Sequence, residues 1–149
     1  MENMQIQNSL IDGALKSGVE KFIFLGSSCI YPKKSIQPMK EEYLMNGSLE
    51  PTNEGYALSK ITALKLCKYY NEQYGTKFIS LMPPNLYGIY EKFDLNHSHV
   101  ISALIMRFHQ AKVNNDKNIS IWGSGNARRE FLFAEELAQG LLFSMNNIK

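Results

Sequence analysis

Cysteine is scarce: Cys29 and Cys67 are the two thiols in 149 residues. Two thiols cannot build a disulfide framework, and without a Cys-x-x-Cys or His-x-x-x-His spacing no structural metal is expected. Charge of one sign is scarce as well. Sixteen Lys and Arg oppose 14 Asp and Glu for a formal charge of +2. Their interspersion leaves no basic stripe of the kind that tracks a nucleic-acid backbone, so no nucleic-acid partner is expected. No apolar run approaches the ~20 residues that span a bilayer. The polar start Met1-Glu2-Asn3-Met4-Gln5 lacks the charged-then-apolar plan of a signal peptide. Together these absences argue against a membrane partner and for a cytoplasmic chain. Internal repeats, low-complexity tracts and flexible linkers are absent too. What is there is 44% hydrophobic content and 11% aromatics, enough for one ordinary core.

The apolar residues are periodic. Met4, Leu10, Ile11, Ala14 and Leu15 recur at helical spacing before Gly18, which predicts a helix over 2–17. Phe22-Ile23-Phe24-Leu25 is a short continuous apolar run, as expected of a central strand covered on both faces of a parallel sheet. Residues 29–52 hold Pro32, Pro38, Gly47 and Pro51 without sustained periodicity and read as a long surface loop. Thr52 or Asn53 can cap a helix over 54–74, with Ala57, Ile61 and Leu64 on its packed side and Gly75 closing it. Lys77 to Met82 makes a second strand, halted by Pro83-Pro84. After another loop, Ser98 can cap a helix over 99–112 whose core side is Ile101, Leu104, Ile105 and Phe108. A strand at 118–122, an extended stretch at 129–132 and a helix over 134–146 complete the chain. Alternating helices and strands predict an α/β protein with parallel strands. The change of character near residue 83 divides it into a nucleotide-binding part, 1–83, and substrate-binding elements, 84–149.

Tyr56 and Lys60 lie four apart in Glu54-Gly55-Tyr56-Ala57-Leu58-Ser59-Lys60, so they share a helix face. The Lys60 ammonium beside a phenol that ordinarily titrates near ~10 favours its ionised form and makes it a usable proton donor or acceptor. Ser27 leaves the end of the first strand, where its hydroxyl can bond a substrate carbonyl while a reduced nicotinamide delivers hydride. Leu25 to Ser28 and Pro83 to Leu86 sit at successive strand ends, where α/β sheets bind ligands. They are expected to flank the nicotinamide. A dinucleotide-binding sheet normally opens with a Gly-rich turn that holds the pyrophosphate. This sequence has none, and Gly123-Ser124-Gly125 is no substitute, lacking a third glycine and a following helix.

Leu25-Gly26-Ser27-Ser28-Cys29-Ile30-Tyr31-Pro32-Lys33, Glu50-Pro51-Thr52-Asn53-Glu54, Asn85-Leu86-Tyr87-Gly88, Asn96-His97-Ser98-His99-Val100-Ile101 and Trp122-Gly123-Ser124-Gly125 carry a resemblance. With the serine, tyrosine and lysine they resemble the extended short-chain dehydrogenase/reductases, and within them the GDP-L-fucose synthase family. The resemblance covers nearly the whole chain as an internal segment of a longer enzyme, and it implies half of a Rossmann-like doubly wound sheet plus part of a substrate domain. It implies NADP(H) as cofactor, GDP-4-keto-6-deoxy-D-mannose as substrate, epimerisation at two ring carbons followed by reduction of the ketone, and a homodimer. Catalytic positions by resemblance are Ser27, Cys29, Tyr56, Lys60 and His99; which of Cys29 and His99 is acid and which is base stays open. The cofactor positions are Leu25, Gly26, Ser27, Ser28, Tyr56, Lys60, Pro83, Pro84, Asn85, Leu86 and His99. Arg107, Trp122 and Arg129 match nucleotide-sugar contacts, since guanidinium groups suit diphosphate oxygens and an indole packs on a flat ligand group. Cys67, His97 and His109 read as packing or surface residues. Three departures stand out: Pro84 where threonine is usual, Ile89 where proline is usual, and Phe133-Ala134-Glu135-Glu136 where His-Val-Asp-Asp is usual. Two alternatives accompany this reading: another nucleotide-sugar epimerase or dehydratase, and a chain that binds nucleotide-sugar without turnover.

Overall fold

The computed structural model describes residues 2–94, 98–121 and 123–148. The chain forms two units: residues up to Pro84 together with those from Gly140 on, and Asn85–Gln139. The elements, in order, are α1 (Glu2–Lys16), β1 (Lys21–Leu25), α2 (Glu54–Tyr74), β2 (Lys77–Leu81), β3 (Asn85–Tyr87), α3 (Val100–Asn114), β4 (Phe131–Phe133) and α4 (Ala134–Asn147). Single 3₁₀ turns occur at Ser28–Ile30 and Glu41–Tyr43 within the expected loop.

In the first unit β1 and β2 pair in parallel, in a register that sets Phe22 opposite Phe78 and Leu25 opposite Leu81. Alternation along a strand puts Phe22 and Phe24 on one face. That face meets Ile11 and Ala14 of α1 and Ala63 and Cys67 of α2, and Phe78 joins the same cluster. Burial pushes the Cys67 thiol up from its ordinary range, as fits a packing cysteine. Asn53 holds the N-cap of α2, accepting the Ala57 N–H through its carbonyl at 3.0 Å rather than through its side chain. Gly75 ends the helix at φ +68°, a left-handed conformation that costs glycine nothing. The strand β1 was expected to be central, covered on both faces. Among the described residues it has β2 as its one neighbour, and only Phe24 of its residues is buried.

Asn71 fixes the turn from α2 into β2. Its amide donates to the Phe78 carbonyl and accepts from the Phe78 N–H, both at 2.8 Å, and also accepts from the Thr76 hydroxyl at 2.7 Å. The side chain thereby pairs the strand backbone as a neighbouring strand would. Asn71→Ala is expected to cost about 2 kcal/mol, two net hydrogen bonds at about 1 kcal/mol each. The melting temperature should fall by roughly 4–8 °C for a chain of this size, read by circular dichroism. A change under ~1 °C would show that water replaces the amide without loss.

In the second unit β3 pairs with β4 in parallel, Asn85 opposite Phe131 and Tyr87 opposite Phe133. The sequence reading missed β3, because three residues are too few for a period of two to show. It placed a strand at 118–122 instead. Residues 118–121 are irregular, with Ile121 exposed and no strand paired alongside among the described residues. Alternating Ile119 and Ile121 mimic a strand, yet a strand exists only where a ladder satisfies its backbone. Two further expectations are corrected. Ser98 does not cap α3: its hydroxyl donates to the Lys92 carbonyl and accepts from the Asp94 N–H, and His99 takes the N-cap position. On α3, Ser102 and Ala111 are buried, whereas Ile105 and Phe108 are 52% and 56% exposed. Ile101 and Leu104 are half-buried, so the expected core side is covered only in part.

Candidate active site

Strand β1 ends at Leu25, and Gly26 continues its ladder, its N–H bonded to the Leu81 carbonyl at 2.8 Å. A Cβ at this buried position would lie 2.2 Å from the Met82 sulfur, so any larger residue here would have to displace the Met82 side chain. Ser27 then stands in extended backbone as the N-cap of the following turn, its Oγ accepting the Cys29 N–H at 3.3 Å. Ser27, Ser28 and Cys29 are half-buried. The serine hydroxyl keeps its own proton to donate, because the capping bond uses only its lone pair.

Helix α2 packs against this turn and against β1. It carries Tyr56, which is 40% exposed. Lys60, one turn on, is half-buried and donates from Nζ to the Leu25 carbonyl at 2.7 Å. Its ammonium lies 5.7 Å from the Tyr56 ring centroid and 5.0 Å from that of Phe24. Burial lowers the Lys60 pKa from its ordinary value. The spacing of four thus sets a positive charge near the tyrosine ring. The bond to Leu25 adds what spacing could not show, a strut from the Tyr-Lys helix to the strand end two residues before Ser27.

The second unit holds the other candidates. His99 is exposed at the N-cap of α3 and lines a cavity of about 590 Å³ with Asn85, Leu86, Tyr87, Phe133 and Glu135. Asn85 donates from its side chain to the Glu130 carbonyl at 3.2 Å, which ties β3 to the approach to β4. Arg107 is half-buried on α3 and lines a smaller polar cavity of about 400 Å³ with Gln110, Asn114 and Ser120, its guanidinium 3.5 Å from the Ser120 carbonyl. Arg129 is exposed, and its guanidinium turns back to the Arg128 carbonyl at 2.8 Å. Trp122 lies outside the described residues. Pro83 and Pro84 are half-buried after β2. Sequence reasoning did not single out Phe24 beside Lys60, because a buried aromatic on a strand signals core until its partner is seen.

Parallel strands delivering a serine turn against a helix that presents a tyrosine and a lysine define an α/β protein of the Rossmann-like type. The sequence matches the NAD dependent epimerase/dehydratase family over residues 1–149. The chain belongs to that family. It is 52% identical over 146 residues to the GDP-L-fucose synthase of Sinorhizobium fredii, covering 98% of this chain and 46% of that one. It is 49% identical to the GDP-L-fucose synthase of Escherichia coli over 97% of this chain and 45% of the relative. A solved GDP-D-glycero-L-gluco-heptose synthase from Campylobacter jejuni, determined in the presence of NADPH, superposes with a TM-score of 0.90 at 35% identity. That match covers 99% of this chain and 52% of the other. The chain thus spans about half the length of the curated relatives it matches.

Proposed function

We propose that this chain carries the catalytic residues of an NADP(H)-dependent GDP-L-fucose synthase, epimerising and then reducing GDP-4-keto-6-deoxy-D-mannose, in a cytoplasmic homodimer. The observation that carries it is the Lys60 strut, which holds the exposed Tyr56 phenol and the strand end leading to Ser27 on one framework. The identity of about half its residues to proteins named GDP-L-fucose synthase supports the choice of substrate.

The residues present fit the nicotinamide end of such a cofactor. The ammonium of Lys60 has donors beyond the one bonded to Leu25, the Tyr56 phenol is open, and Leu25 to Ser28 lie at a strand end. When bound, the cofactor supplies hydride to the carbonyl carbon. Ser27 donates a hydrogen bond to the carbonyl oxygen, and Tyr56 gives that oxygen its proton, assisted by the positive charge of Lys60. Before reduction, Cys29 and His99 share the removal and return of protons at the carbons flanking the ketone. A developing enolate oxygen stabilised by Ser27 and Tyr56 makes those protons acidic enough to move. Arg107, Arg129 and Trp122 hold the nucleotide diphosphate. We assign residues 1–83 to cofactor binding and catalysis and 84–149 mostly to substrate binding.

The test is loss of nicotinamide absorbance when the purified chain meets NADPH and the keto sugar, with the product identified by chromatography. It is run on the chain alone and on the chain joined to the parts of the Escherichia coli relative that it does not cover. Turnover to GDP-L-fucose in either form is expected; no turnover in both overturns the proposal. The likeness to a GDP-heptose synthase favours one second reading, reduction of a different GDP-keto sugar, which the same assay with a GDP-keto-heptose decides.

A further inference from the structure

The Lys60 ammonium is half-buried, and that burial lowers its pKa. Among the described residues it has no carboxylate partner. A charge withdrawn from water requires compensation, and two groups of β1 provide it: the Leu25 carbonyl at 2.7 Å and the ring of Phe24 at 5.0 Å from its centroid. The Phe24 ring is nearer than that of Tyr56, at 5.7 Å. Phe24 is 6% exposed and belongs to the core cluster with Ile11, Ala14, Ala63, Cys67 and Phe78, so its ring cannot swing away. We propose that Phe24 is a positioning residue, its ring face holding the Lys60 ammonium between the Leu25 carbonyl and Tyr56; its catalytic meaning rests on the functional reading above.

The physical reason for an aromatic here is electrostatic. A carboxylate would hold the ammonium as well, yet it would cancel the positive field at the phenol. A ring quadrupole and a carbonyl dipole solvate the cation and leave its net charge in place. Tyr56 is the titratable neighbour on α2, and the adjoining turn contributes the Cys29 thiol. The facing residues of β1, Phe24 and Leu25, contribute no charge.

The experiment replaces Phe24 with mono-, di- and trifluorophenylalanine, which keep the ring's shape and drain negative charge from its face. The Lys60 Nζ titration is followed by NMR in this chain, assigned through Lys60→Met. The expected result is a stepwise fall of the Lys60 midpoint, on the order of half to one pH unit across the series, with an unchanged melting temperature. Phe24→Leu, if folded, should shift the midpoint further in the same direction; if it unfolds, the fluorinated series decides alone. A midpoint that stays constant across the series overturns the proposal. The titration needs no substrate, so a falling midpoint in a protein that never turns over would sink the functional reading and leave the ring's role standing. In a form that turns over, kcat should fall along the series while KM holds.

Discussion

Tyr56→Phe is expected to lower kcat for ketone reduction by about 10²–10⁴-fold, the range a positioned proton donor contributes, while the melting temperature stays within ~1 °C. Tyr56 is 40% exposed, and the ring that remains still lies beside Lys60. Removing one oxygen therefore leaves the packing of α2 on β1 intact and takes away the proton that the carbonyl oxygen must receive. NADPH oxidation with the keto sugar, in the form of the protein that turns over, reads the loss. A fall of less than ~10-fold would show that another donor, Ser27 or water, protonates the alkoxide, and would remove Tyr56 from its assigned role.

Cys29→Ser is expected to abolish inversion at the ring carbons and to spare reduction. Cys29 is half-buried in the turn Ser28–Ile30, and the backbone N–H it donates to Ser27 does not depend on its side chain. Serine fits the same space, so Ser27 and the Tyr56-Lys60 pair keep their places. A hydroxyl, however, is many pH units weaker as an acid than a thiol near ~8.5, and neither gives nor takes a proton readily at neutral pH. Hydrogen–deuterium exchange at the two carbons, followed by NMR in deuterated solvent without NADPH, separates the roles of Cys29 and His99. If Cys29 is the base, Cys29→Ser should lose exchange by about 10²-fold or more. If it is the acid, exchange should persist while inversion stops, and His99→Gln should show the opposite pattern. Normal epimerisation by Cys29→Ser would exclude the thiol from the chemistry.

The helices α1, α2 and α4 and the strands β1 and β2 were legible because each runs long enough for its periodicity, or ends sharply enough at glycine or proline, to be read locally. The Tyr56-Lys60 pair was legible for the same reason: a separation of four on a helix is itself a spatial statement. What failed locally was short or depended on a partner. The strand β3, three residues long, was missed, and it is a strand only because it pairs with β4, which the extended stretch at 129–132 had anticipated. Residues 118–121 have a strand-like pattern and no partner. On α3, Ile105 and Phe108 were misjudged because apolar character alone does not say which face a neighbour covers.

By itself, then, the sequence determined the α/β class, the parallel order of the main strands and the residue types proposed for the chemistry, since all three follow from local pattern and side-chain identity. Only the tertiary structure decided that Lys60 reaches the Leu25 carbonyl across 35 residues of chain. It alone set the ring of Phe24 beneath that ammonium and placed Asn71 as a backbone partner for Phe78. Such contacts join residues whose separation along the chain carries no period, and they exist only once packing has excluded the water that would otherwise satisfy the same groups.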